Sequence, residues 1–298
     1  EIVEEKSYYD LDLFSMENGW MTYKDSSYKS FTGIDVSSHN QSIDWYSVKQ
    51  DGIDFAMIRV GYRGAQEGIL HEDAYFNINM QAAIQNKIKV GAYFFSSAIT
   101  EDEIDEKVSM VLNEIRNYKI DMPIVFDMEE FEKGGRIDDL TQEQRTNLAL
   151  RFCEKIKQAG YDPMIYGNMT WLYQNYDFEK ISKYPIWLAS YSTRCPMEDK
   201  FDMWQYSNQG RVNGIEGDVD INIYLFAYST KEGARKMEKE NREVKSSVFA
   251  DLFYEDESAE KNIISLYNAL HEEPLPEEIQ IEKIHVGDAI YMNLKNDI

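Results

Sequence analysis

The chain has 298 residues, enough for one large α/β domain or two smaller ones. Its formal charge is −23, from 54 acidic against 31 basic residues, which argues against a partner held through phosphates, because nucleic-acid affinity rests on Lys and Arg neutralising the backbone. Aromatics make up 13% of the residues, including 21 Tyr, and flat rings with a polar edge suit ordinary cores and carbohydrate faces alike.

Residues 1–30 are polar and Tyr-rich without strong periodicity; they read as a poorly structured lead-in with a surface strand at Trp20–Tyr23. From Phe31 to Tyr228 an apolar strand followed by a helix recurs. The predicted strands are Phe31–Val36, Phe55–Gly61, Val90–Phe95, Ile124–Asp127, Met164–Tyr166, Ile186–Ser190 and Met203–Tyr206, short apolar or β-branched runs mostly bounded by turn residues. Two helices announce themselves by capping boxes. Thr100 with Glu103 precedes Ile104, Val108, Leu112 and Ile115 at helical spacing, and Thr141 with Gln144 precedes Ala149, Phe152, Cys153 and Ile156, with Gly160 as the stop. Alternation of this length implies parallel pairing, and closure into a TIM-like (β/α) barrel protects the edges. An open sheet is disfavoured because no Gly-rich phosphate turn follows the first strand.

No run of about 18 apolar residues occurs, so no membrane span is expected, and Glu1 begins without the basic and apolar regions of a signal peptide; any signal or anchor would lie outside this chain. Cys153 falls on the apolar face of a predicted helix and Cys195 in a Thr-Arg-Cys-Pro loop with no neighbouring base, so neither a disulfide framework nor a thiol nucleophile is expected. His39, His71, His271 and His285 are too scattered for a metal cluster, and the expectation is no metal and no cofactor.

The chemistry concentrates in carboxylates. Pro123-Ile-Val-Phe-Asp127-Met-Glu129 reads either as a solvated acidic turn or as a buried strand that delivers two same-side carboxylates to its tip, where their closeness raises the proton affinity of at least one of them. Asp35, inside the apolar first strand, must either be satisfied or do chemistry, because an unpaired buried carboxylate is costly. Asp220 and Asn222 fall two apart on the last candidate strand. In a parallel barrel the strand ends open on one mouth, so Asp35, Asp127, Glu129 and Asp220 are expected to converge there, which favours the second reading. Tyr93, Tyr166, Tyr191 and Trp204 lie at or near strand ends, either as stacking platforms for sugar rings or as plain barrel packing, with Trp204 beside Gln205 the leading stacking candidate. Arg59 either braces the acidic cleft or makes an ordinary ion pair. His39 reads as a structural partner of the first loop.

These residues resemble glycoside hydrolase family 25, the lysozymes of bacteria and their phages. The resemblance spans about residues 31–226 and rests on Gly-Ile-Asp35-Val-Ser with His39 and Ile-Asp44-Trp45, Phe-Ala-Met-Ile-Arg59-Val-Gly-Tyr, Gly91-Ala-Tyr-Phe-Phe, Pro123 through Glu129, Trp187-Leu-Ala-Ser-Tyr191, Trp204-Gln205-Tyr206 and Gly217-Asp-Val-Asp220-Ile-Asn222. It implies a modified barrel of eight mostly parallel strands over residues 31–230 and cleavage of the β-1,4 bond between N-acetylmuramic acid and N-acetylglucosamine in peptidoglycan. By the same resemblance Glu129 is the general acid, Asp127 raises its proton affinity and helps to place the substrate, and Asp35 and Asp220 orient the 2-acetamido group or water. Where this chain has Phe94 and Ser42, many members have His and Gly; these departures are expected to alter strand packing or subsite shape rather than the acid chemistry.

After Lys231 the pattern changes. Residues 231–298 form an acidic extension in which Lys231–Lys245 is charged with helical propensity; Val248-Phe-Ala-Asp-Leu-Phe, Asn262-Ile-Ile-Ser-Leu-Tyr-Asn-Ala-Leu and Ile290-Tyr-Met-Asn-Leu resemble the opening part of the PD-(D/E)XK nuclease family transposases, without the later acid and lysine. The alternatives are a small helical appendage left by fusion and an unrelated acidic tail. The expected protein is a monomeric lysozyme acting on peptidoglycan glycan strands outside the cytoplasm or at the cell wall, with no nucleic-acid partner. The alternative is a barrel that holds wall glycans without cutting them.

Overall fold

The computed structural model describes residues 8–130 and 134–228, together with the backbone of residues 280–286 and 289–295. In chain order the elements are β1 (Phe14–Glu17), β2 (Trp20–Tyr23), β3 (Tyr28–Val36), α1 (Trp45–Gln50), β4 (Phe55–Arg63), β5 (Leu70–Glu72), α2 (Phe76–Gln85), β6 (Lys89–Phe95), α3 (Glu101–Ile115), β7 (Ile124–Asp127), α4 (Gln142–Gln158), β8 (Pro163–Asn168), α5 (Phe178–Ile181), β9 (Ile186–Ala189), β10 (Met203–Gly210) and β11 (Val219–Ala227). The chain divides into two units, Glu1–Tyr228 and Ser229–Ile298. In the second, β12 (Gln280–Val286) and β13 (Ala289–Lys295) pair as an antiparallel hairpin. Most of the appendage expected at 231–298, including most of its transposase-like stretch, lies outside the described residues.

Eight strands close on themselves. Adjacent strands from β3 through β4, β6, β7, β8 and β9 to β10 pair in parallel, whereas β11 runs antiparallel to both β10 and β3 and seals the ring. Closure leaves no free edge on these eight, and β5 adds one antiparallel strand outside the ring on β4. Along each strand alternate side chains point in. At the floor, Phe55, Met57, Val125, Met164 and Met203 form an apolar plug with Phe31 and Tyr224 packed against it. Plug and backbone meet closely at Gly33, where a Cβ would stand 2.3 Å from the Phe55 ring.

The outward residues pack under the helices. Thr141 caps α4 with a complete box, its hydroxyl accepting from Gln144 N–H while the Gln144 side chain accepts from Thr141 N–H, and Ala149, Phe152, Cys153 and Ile156 are buried. The box expected at α3 is half formed. Thr100 accepts from Glu103 N–H, but the Glu103 carboxylate turns to Ile99 N–H and to Arg136, because a charged guanidinium within reach outcompetes the cap.

The N-terminal lead-in departs from expectation. Asn18 and Gly19, at φ 50° and 89°, make the two-residue left-handed turn that joins β1 to β2, and Tyr9, Met21 and Tyr23 are buried. The Tyr9 hydroxyl donates to the Phe201 carbonyl, and the Tyr9 ring packs edge to face against Phe14, Tyr23 and Tyr28 and at a tilt against Phe201. The strand expected at Trp20–Tyr23 is present as β2, and aromatic burial orders the rest of a segment whose polarity suggested little structure. Trp204 joins this cluster from the outer face of the barrel, its ring 5.6 Å from Phe14.

Gly33→Ala is expected to lower stability to urea by about 1–3 kcal/mol, the usual range for overpacking. Adding Phe55→Leu should recover part of it; an unchanged midpoint in the single variant would contradict the close packing of ring on backbone.

Candidate active site

The barrel's sequence alternation turns polar at its upper end, so each inward position there delivers a functional group. A pocket of about 930 Å³ opens at that mouth and is lined by Asp35, Asp127, Glu129 and Asp220, together with Arg59, Tyr93, Tyr166, Trp187, Tyr191 and Gln205. Asp35 sits near the end of β3, Asp127 ends β7, and Glu129 follows two residues later in the loop. Asp220 arrives by another route than expected. It lies at the start of β11, which reaches the mouth because this strand is antiparallel, and it stands directly opposite Asp35 in the β3–β11 register.

Asp35 is the best-held of the four. Its Oδ2 accepts from Gln205 Nε2 and from Asn222 Nδ2, each at 2.8 Å. Both amides are fixed from behind. Tyr166 and Tyr191 hydroxyls donate to Gln205 Oε1 at 3.0 and 3.2 Å, and the Trp187 indole donates to Asn222 Oδ1 at 2.8 Å, which leaves only the amide N–H groups to face the carboxylate. Burial raises the Asp35 proton affinity, while these donors and Asp220 oppose it. Asp220 is pushed from 3.8 to about 8, first by burial and then by Asp35, so a protonated Asp220 donates to an ionised Asp35.

The other pair divides differently. Glu129, half-buried, is raised from 4.5 to about 7 by burial and then by the negative charge of Asp35. Asp127, fully enclosed with Oδ1 lacking a hydrogen-bond partner, is raised well above its ordinary value, by burial and then by Glu129, with Lys107 opposing. The charge that raises Glu129 comes from Asp35.

Arg59 makes the ion pair considered for it: its Nε pairs with Asp73 at 2.8 Å, its guanidinium donates to Ser38, and it lines the pocket. Asp73 also accepts from Ser38 N–H, so the pair pins the loop after β3 to the rim. His39 is exposed on that loop and lines the pocket. Tyr93 packs edge-on against Trp187 at 6.2 Å, and Tyr191 is 55% exposed. Trp204 must be corrected. It is fully buried in the outer cluster, with its indole donating to Ser190 O, because alternation along β10 turns it outward when Gln205 turns inward. Trp187 and Asn222 were not singled out as site residues; the signal was the same alternation, which places Asn222 on the side of Asp220.

Lys107, on α3, has its amine fully buried without a hydrogen-bond partner, over the rings of Phe126, Phe152 and Phe94 at 4.0, 4.4 and 5.1 Å. Desolvation lowers its proton affinity, Asp127 being the first opposing influence. Phe94, the departure noted above, thus serves packing behind the strands and does not line the pocket. Among the described residues, no group of three or more His, Cys, Asp or Glu is arranged to hold a metal ion, and no helix is long and apolar enough to cross a membrane.

With this geometry in place, comparison with known proteins is direct. The profile of glycosyl hydrolases family 25 matches residues 34–215. Lysozyme M1 of Streptomyces globisporus is 30% identical over 202 residues, covering 64% of this chain and 67% of that protein. The Escherichia coli K12 protein YegX is 30% identical over 194 residues, covering 64% and 68%. The crystal structure of the bacterial lysozyme from Streptomyces coelicolor superposes with a TM-score of 0.54 at 26% identity, covering 69% of this chain and 96% of that one. The matched stretch is more than half of the chain and contains three of the mouth carboxylates, Asp35, Asp127 and Glu129. The chain belongs to glycosyl hydrolase family 25.

Proposed function

We propose that this glycoside hydrolase is an N-acetylmuramidase, cleaving the β-1,4 bond between N-acetylmuramic acid and N-acetylglucosamine in peptidoglycan with Glu129 as general acid. The observation that carries the reading is a half-buried Glu129 that shares one pocket with Asp35, which Gln205 and Asn222 hold through their amides, and whose proton affinity burial and Asp35 raise to about 7. A general acid works best when its proton affinity lies near the working pH, and a raised Glu opposite an anion is the pattern of glycoside cleavage.

In the first step the proton of Glu129 moves to the glycosidic oxygen as the bond from that oxygen to the anomeric carbon breaks, and positive charge develops on the sugar ring. Asp35 opposes that charge, and its fixed amides spare it any reorganisation. Asp127 and Asp220 line the same pocket, where their carboxyls are suited to placing the acetamido group. Water then adds at the anomeric carbon and gives up its proton to the carboxylate cluster, restoring the acid. Peptidoglycan lies outside the cytoplasmic membrane, so the site of action is the cell wall.

Glu129→Gln is expected to reduce release of reducing ends from purified peptidoglycan by about 10²–10⁴-fold with the fold retained. Full activity in that variant, or wall binding without reducing ends by the wild type, would contradict the reading. Stability should move the opposite way. Because the folded-state value of Glu129 lies above its ordinary one, its favourable contribution is complete below about 4.5 and is lost as pH rises through about 7. Glu129→Gln should therefore gain up to roughly 3 kcal/mol over wild type between pH 4 and pH 8 in denaturant unfolding.

A further inference from the structure

A second groove, of about 1230 Å³, adjoins the mouth and shares Tyr191 and Asn208 with the pocket described above. One wall is the loop from β10 to β11. The other is the tip of the N-terminal hairpin, Asn18, Gly19 and Trp20, which precedes the stretch matched by the family profile. The hairpin's sharp left-handed turn is what brings Trp20 to this wall.

Resting on the muramidase reading, we infer that this groove is an extension of the substrate cleft that takes further N-acetylated sugar units of the same strand, beyond those flanking the cut bond. The volume exceeds the roughly 300–1,000 Å³ of a pocket for one small molecule. The continuity through Tyr191, whose ring is 55% exposed at the junction, gives a strand an unbroken path from one cavity to the other. The lining chemistry selects a neutral, amide- and hydroxyl-bearing ligand: aromatic Trp20 and Tyr191 offer faces for sugar rings, and Asn18, Asn208 and Gln209 offer amide partners. Its two charges are already engaged. Asp51 accepts from the backbone and side chain of Asn213, and Arg211 pairs with Asp218 at 3.0 Å. A carboxylate-bearing peptide stem therefore finds no uncommitted cation there, in a chain of net charge −23. Binding energy collected at these remote units supports cleavage of long strands without touching the acid.

The test compares wild type, Trp20→Ala, Trp20→Phe and, at an exposed position near the end of β10 that lies outside the N-terminal hairpin, Gln209→Ala. Each is assayed by reducing-end release on long peptide-free glycan strands and on a short tetrasaccharide. The expected result is a roughly two- to tenfold fall in kcat/KM on long strands for Trp20→Ala, a smaller fall for Gln209→Ala, an unchanged tetrasaccharide rate, and recovery with Trp20→Phe. Equal losses on both substrates, or no loss in either alanine variant, would overturn the inference, as would losses confined to strands that carry peptide. A wild type that cuts neither substrate would instead sink the muramidase reading.

Discussion

The arrangement turns on two carboxylates that the β3–β11 ladder places face to face. Asp35 and Asp220 are register partners at the point where the antiparallel strand closes the barrel, and both are largely withdrawn from water. Two such groups cannot both be ionised at that range, so one keeps its proton and donates it to the other. The amide donors decide which. Gln205 and Asn222, locked by Tyr166, Tyr191 and Trp187, stabilise the anion at Asp35. The fixed negative charge then raises Glu129. A single protonation hierarchy thus follows from one strand pairing.

Such a cluster opposes folding, because each carboxyl at the mouth is held away from its preferred state in water. The structure offsets this below and behind it. Within the ring, the plug of Phe55, Met57, Val125, Met164 and Met203 fills the floor under the polar layer. Outside it, Lys107 lies under α3 with three phenylalanine faces around its amine, a buried group that acts on Asp127 from the side opposite the solvent. The rigid part of the site is therefore built on strands, while Glu129 sits just past a strand end, where substrate can reach it.

Much of this was legible in the chain. Runs such as Ile124–Asp127 and the Thr141 box announced their elements because local pattern and tertiary demand agree there. The four carboxylates could be assembled because burial of an acid in an apolar strand is rarely neutral. What escaped depended on orientation or on distant partners. Trp204 looked like a platform because it neighbours Gln205, yet adjacent residues on a strand face opposite ways. The hairpin at Asn18-Gly19 carried the strongest short-range signal for such a turn, but its flanking strands are polar on one side, and their burial comes in part from Phe201 and Trp204, far away in sequence. The Asp73 partner of Arg59 likewise comes from outside the strand that carries Arg59.

The hierarchy can be read directly by titrating the carboxyl carbons of Glu129 and Asp220 by NMR, in wild type and in Asp35→Asn. The account requires midpoints near 7 for Glu129 and near 8 for Asp220, with that of Glu129 falling when the charge at Asp35 is removed. Midpoints near the ordinary 4.5 and 3.8, or a Glu129 midpoint indifferent to Asp35, would contradict it.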